Sequence, residues 1–175
     1  MRHLCWTLPF LAAIFSLNAY PCQRTSPVSN TDMLNQAEVI LRVRAVEYAV
    51  PPADPNARTT GMPDSTIRFK VLEVIRGGTQ TELILPGYLT DTDDFNDHAP
   101  PYDFVRPGGR RGSCFANSYR SGAEFLLFLR KRPSGDLAVN WYALGPVNEQ
   151  LHAADDPWLL WAKEQVRQLN IRKSQ

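Results

Sequence analysis

Residues 112–129 read GSCFANSYRSGAEFLLFL, a lone cysteine in a polar, turn-rich run that passes straight into an apolar block. The chain is continuously apolar from Phe125 to Leu129, and Lys131-Arg132-Pro133-Ser134-Gly135-Asp136 turns it into the stretch Leu137–Leu144. Proline and glycine in so short a connection predict a hairpin of two long strands. What Cys114 does depends on compartment: catalytic thiol, metal ligand and half of a crosslink are all open to an isolated cysteine, and oxidising surroundings favour the last.

Upstream of this block the same β character recurs. Val39, Leu41, Val43 and Ala45 alternate with Ile40, Arg42, Arg44 and Val46, the period of a strand with one well-buried face. Ile67, Phe69 and Val71 alternate with Arg68 and Lys70 before Leu72, Val74 and Ile75 shift the phase, which predicts a β-bulge near Val71 and Leu72. Arg76-Gly77-Gly78 ends that strand, because glycine tolerates positive φ. Glu82–Leu85 predicts a third, short strand, and the proline- and aspartate-rich stretch Pro51–Asp64 is a surface connection between the first two. Downstream, Asp156 fits an N-cap and Pro157 a first helical position. Trp158, Trp161, Ala162, Gln165, Val166 and Leu169 follow with helical spacing, so a helix over about 157–170 packs on the sheet. These elements leave Pro86–Gly122 unassigned. A connection that long is uncommon unless it is functional or disordered, and Tyr88, Phe95, Tyr102, Phe104, Phe115 and Tyr119 argue against disorder.

The amino terminus bears on the compartment. Arg2 and His3 precede an apolar run from Leu4 to Leu17, and Ala19 offers a small residue before Tyr20. That layout predicts a secretory signal peptide over residues 1–19 and a mature chain Tyr20–Gln175, exported to the periplasm or secreted. The apolar run is shorter than the roughly 18 residues of a membrane-spanning helix, so no membrane attachment is expected after cleavage. Of 19 basic and 18 acidic residues, cleavage removes only Arg2, leaving 18 against 18. A formally neutral chain argues against nucleic acid, where a basic face supplies most of the affinity. Cys5 leaves with the leader, so Cys22 and Cys114 remain, and two thiols in an oxidising compartment either pair or leave a reactive thiol.

The order of these pieces resembles the netrin-like fold of the tissue inhibitors of metalloproteinases, a small OB-type barrel. The resemblance is carried by a cysteine soon after the leader, by Ala37-Glu38-Val39-Ile40-Leu41-Arg42-Val43, by Arg68-Phe69-Lys70-Val71-Leu72 closing at Arg76-Gly77-Gly78, and by Cys114 followed by Tyr119–Leu127. It covers roughly residues 22–145. It implies an all-β, five-stranded OB-type barrel over residues 20–145, followed by a segment 146–175 that holds the C-terminal α-helix. It also implies a disulfide joining Cys22 to Cys114. In that family the cysteine begins the mature chain and chelates the protease's zinc through its α-amino group. Tyr20 and Pro21 precede Cys22 here, so zinc-chelating inhibition is not expected from this chain.

The chemistry-bearing residues are few. Asp91, Asp93, Asp94, Asp97 and His98 form a cluster of hard ligands of the kind calcium takes, but the glycine and bidentate glutamate of a calcium loop are missing. A solvated acidic loop paired with Arg106, Arg110 and Arg111 is the plainer reading. A hydrolase built on Cys114 with His98 or His152 requires a free thiol, and Arg111-Gly112-Ser113-Cys114 lacks the second glycine of a serine nucleophile elbow. The expectation is therefore a non-enzymatic binding module with no catalytic residue, metal or cofactor, whose partner is an extracytoplasmic protein. Secreted metalloprotease inhibitor and cysteine-dependent hydrolase are its alternatives. The expected surface is the ridge of Cys22, Gln23 and Arg24 with the loop carrying Tyr88, Asp91, Asp94, Phe95, Tyr102 and Arg106.

Overall fold

Cross-strand partners share a face of a sheet, and the apolar block Phe125–Leu129 owes its continuity to burial on both of its faces. The computed structural model describes residues 28–54 and 62–175. The expected leader 1–19, Cys22, Gln23 and Arg24 lie outside them. In chain order the elements are α1 (Asn30–Gln36), β1 (Val39–Val50), β2 (Thr66–Arg76), β3 (Glu82–Pro86), β4 (Tyr88–Thr90), a 3-10 turn (Pro107–Arg110), β5 (Ser118–Arg120), β6 (Glu124–Lys131), β7 (Leu137–Val139), β8 (Asn148–Gln150) and α2 (Pro157–Lys173).

β1 is the central strand, antiparallel to β2 on one side and to β6 on the other. Val43 pairs with Phe125, whose ring stands 5.0 Å from Tyr119, and Tyr119 also meets Phe69 edge-on at 5.0 Å. Ile40 pairs with Phe128 on the opposite face, where Phe128 lies 5.8 Å from Trp158 of α2. Trp158 is stacked on Trp161 at 4.7 Å, as the helical spacing of the two suggested. Tyr119 thus fills one face of the sheet and α2 covers the other. Phe69, Tyr119, Phe125, Phe128 and Trp158 have no measurable exposure, and each such side chain contributes on the order of 1.5–3 kcal/mol by burial.

The phase shift read in β2 is a bulge. Arg42 faces Glu73 and Val43 faces Val71, which leaves Leu72 as the extra residue. A second shift leaves Ile75 unmatched between the Ile40–Arg76 and Leu41–Val74 pairs. Gly77 follows with φ +54°, and a Cβ there would stand 2.4 Å from the Glu38 carbonyl oxygen, so both the turn and the close approach require glycine.

Three expectations need correction. The sheet is a six-stranded antiparallel one in the order β3-β2-β1-β6-β7 with β8 also on β6, and among the described residues no ladder joins β3 to β7, so the strands do not close into a five-stranded barrel. The hairpin of two long strands has only one: β7 spans three residues. The chain then leaves the sheet through Leu144 (φ +60°) and returns as β8. β7 and β8 share one edge of β6, opposite Leu129–Lys131 and Phe125–Leu127 respectively. Finally, α1 was not anticipated. Ser29 caps it by accepting from the Asp32 amide, and its Met33 and Leu34 are buried in the common core. No helix among the described residues is long and apolar enough to cross a membrane.

Candidate functional site

The unassigned stretch of the sequence is tied at its base by a parallel pair, β4 with β5. The Tyr88 amide donates to the Asn117 carbonyl at 2.9 Å, and the Ser121 amide to the Thr90 carbonyl at 2.9 Å. Between them, residues 91–117 hold only the single 3-10 turn as regular structure. Their backbone therefore needs other support, and a buried polar network supplies it.

Arg106 is its centre. The guanidinium has no solvent exposure. Nη1 donates to Asp94 Oδ2 at 2.6 Å, Nε to the Asn148 carbonyl at 3.2 Å and Nη2 to the Ala116 carbonyl at 3.2 Å. It also lies 5.5 Å and 5.4 Å from the ring centroids of Tyr119 and Phe125, where a cation is attracted by the ring quadrupole. Asp94 accepts the Gly108 amide at 2.9 Å as well, and a Cβ on Gly108 would stand 2.4 Å from the Asp94 carboxylate, so a side chain there would have to displace that carboxylate. The Arg106 amide donates to Glu149 Oε1 at 3.2 Å, while Glu149 Oε2 accepts Asn96 Nδ2 at 2.8 Å. Glu149 is fully buried, and loss of solvation raises its pKa to about 7 against the opposing pull of Arg106 and Asn96.

A second set of contacts fixes the outer part. Arg110 forks onto the Asp97 carboxylate, donates from Nε to the Val105 carbonyl at 2.8 Å, and covers the Phe104 ring at 5.2 Å. Its hydrogen bond holds the Asp97 carboxyl below the usual carboxylate range. Val105, Ala116 and Leu144 form a small apolar cluster beneath. Phe95 stacks on His152 at 4.1 Å, and His152 Nδ1 stands 3.0 Å from Asp156 Oδ2, the carboxylate that also caps α2.

The expected binding residues are distributed unevenly in this arrangement. Asp91 is exposed and Phe95 half-buried, so both present surface. Asp94 faces inward to Arg106. Tyr88, Tyr102 and Arg106 are buried, Tyr102 beside Trp158 at 5.3 Å. The acidic run does not converge: Asp93 goes to Gln150 and Arg120, Asp94 to Arg106, and Asp97 to Arg110. Among the described residues no group of three His, Cys, Asp or Glu side chains is placed to hold a metal ion. Cys114 has φ +62°, and its carbonyl accepts the Leu144 amide at 2.9 Å. The residues that sequence reasoning missed are those of β8: Asn148, Glu149 and Gln150 are all buried and all serve the loop. Their one signal is a polar triplet between apolar Val147 and Leu151, and neither helical nor strand periodicity marks it. The chain matches no protein-family model and no curated protein.

Proposed function

We propose that the protein is an exported, non-enzymatic binding module of OB-type, netrin-like architecture, and that the surface it offers to an extracytoplasmic protein is the loop 91–117 with the segment around Cys22. The observation that carries this reading is the Arg106–Asp94–Glu149 network. Burying several charged groups beneath an irregular loop is costly. The result is a backbone fixed in advance, which lowers the ordering penalty on binding.

Further support comes from the ends of the sheet, since β3 and β7 lie near one another as a curled sheet requires. A bond between Cys114 and Cys22, the two cysteines of the mature chain, would remove the thiolate that a cysteine hydrolase needs. Exposed Asp91, Asp97, His98 and Asp103, with half-buried Phe95, form the outward rim.

The test is affinity capture from extracytoplasmic extract with the mature protein and with an Asp91→Ala, His98→Ala variant. The wild type is expected to retain a discrete partner that the variant loses while its melting temperature stays within about 2 °C. Equal capture by both removes this surface from consideration. An assay against a zinc metalloprotease separates the inhibitor alternative, for which tight inhibition by the mature chain is the deciding result.

A further inference from the structure

We propose that Glu149 is a latch worked by a proton: while protonated it pins residues 96–106 of the loop to β8, and once ionised it lets that segment open to water while the sheet stays folded. The inference rests on the buried network and holds whether or not the loop meets a partner.

Connectivity carries the inference. One carboxyl group grips the segment at both ends, Oε2 accepting from Asn96 Nδ2 at 2.8 Å and Oε1 from the Arg106 amide at 3.2 Å. Asn96 extends that grip, since its Nδ2 also donates to the Phe104 carbonyl at 2.8 Å and its Oδ1 accepts the His98 amide at 3.0 Å. Loosening one side chain of β8 therefore frees both ends of an eleven-residue stretch (about 96 to 106) that holds no regular strand or α-helix.

The nearby cations are committed elsewhere. Arg106 directs its guanidinium to Asp94 and to the Asn148 and Ala116 carbonyls, and Arg110 forks onto Asp97. Glu149 has no exposure and takes part in no ion pair among the described residues. A carboxylate cut off from water with no cation bonded to it must keep its proton or regain water. The charges that reach it all come from the loop: Arg106 favours ionisation and Asp94 opposes it, while Arg110 and the Tyr102 hydroxyl feel its charge in turn. Desolvation outweighs the rest and holds its pKa up at about 7. On the sheet side its partner across the ladder is buried Leu126, which offers the charge nothing. Hydration of an ionised Glu149 therefore comes by displacing the loop, a local opening of the kind that leaves the rest of a fold intact.

Amide hydrogen exchange of the mature protein, followed by NMR from pH 4.5 to 7.5 and corrected for intrinsic chemistry, tests this. The reporters are the His98, Val105 and Arg106 amides, which donate to Asn96, Leu144 and Glu149. Their protection is expected to lie below that of the Glu38 and Ala45 amides of the sheet at every pH, and to fall on the order of a hundredfold across the range. The carboxyl carbon of Glu149 should titrate with the same midpoint in the wild type, a readout that does not depend on any variant folding. Glu149→Gln should hold the protection constant. His98→Gln, which alters the segment's own imidazole beside Asp97 and Asp103, should leave the decline in place. Loop protection equal to that of the sheet, protection indifferent to pH, a carboxyl midpoint apart from the loop's, or a decline that survives Glu149→Gln or vanishes with His98→Gln each overturns the proposal.

Discussion

A guanidinium without solvent exposure must find partners inside the protein, and Arg106 directs its three nitrogens to Asp94, Asn148 and Ala116. Replacing it with methionine keeps bulk but leaves Asp94 and Glu149 without their cation. Removing one partner of a buried pair costs about 3–5 kcal/mol, so the denaturation midpoint of Arg106→Met should fall accordingly, and a loss under about 1 kcal/mol would show the network to be dispensable. Glu149 makes the same network sensitive to pH. Burial lifts its pKa from an ordinary 4.5 to about 7, so the folded protein holds this proton more tightly than the unfolded chain does. The stability it contributes is fully present below about pH 4.5 and is lost as pH rises through 7. Equilibrium unfolding measured from pH 4.5 to 8 should show that decline, and Glu149→Gln should flatten it. An unchanged slope in the variant would assign the dependence to another group. Gly77 sets the third residue-scale expectation: alanine there adds the left-handed penalty of about 1–2 kcal/mol to the 2.4 Å contact with Glu38, and thermal denaturation reads the loss.

Elements differ in how openly the sequence announces them. The alternation of Val39, Leu41, Val43 and Ala45 exposed β1, and the phase slip at Leu72 exposed its bulge, since a two-residue period leaves no other way to keep Val74 and Val71 in the ladder. Asp156-Pro157 marked the start of α2 through chemistry that is local. The closed barrel and the long second strand of the hairpin were not legible in the same way. Leu137–Leu144 is as apolar as a strand should be, yet the apolar cluster of Val105, Ala116 and Leu144 draws its far end toward the loop. Competition between two apolar surfaces is a tertiary matter that a local pattern does not contain. The same holds for Asn148–Gln150, whose polarity reads as exposure and whose burial makes sense only beside Arg106. For α2, the Asp156 carboxylate accepts the Trp158 amide at 2.8 Å and the His152 amide at 2.9 Å. Asp156→Ala should lower stability by about 1–2 kcal/mol, the usual cost of an N-cap. Loss of helical circular dichroism at a lower temperature than in the wild type checks it.

At the scale of the whole molecule, a curled antiparallel sheet packs helix α2 on one face and Tyr119 on the other, and β4 and β5 hold the irregular loop by its two ends. Of the residues expected at the surface, Asp91 is exposed and Phe95 half-buried. That Tyr102 and Arg106 belong to the loop's foundations was not legible, since the same residue types serve both roles. The central claim is that this loop is held firm in order to meet a partner. Photo-crosslinking in the producing cell tests it most directly, with p-benzoylphenylalanine placed singly at Asp91, at Asp97 and, for comparison, at exposed Arg167 on α2. The account predicts one discrete protein adduct, shared by positions 91 and 97 and absent from position 167. Adducts at all three positions alike, or at none, would contradict it.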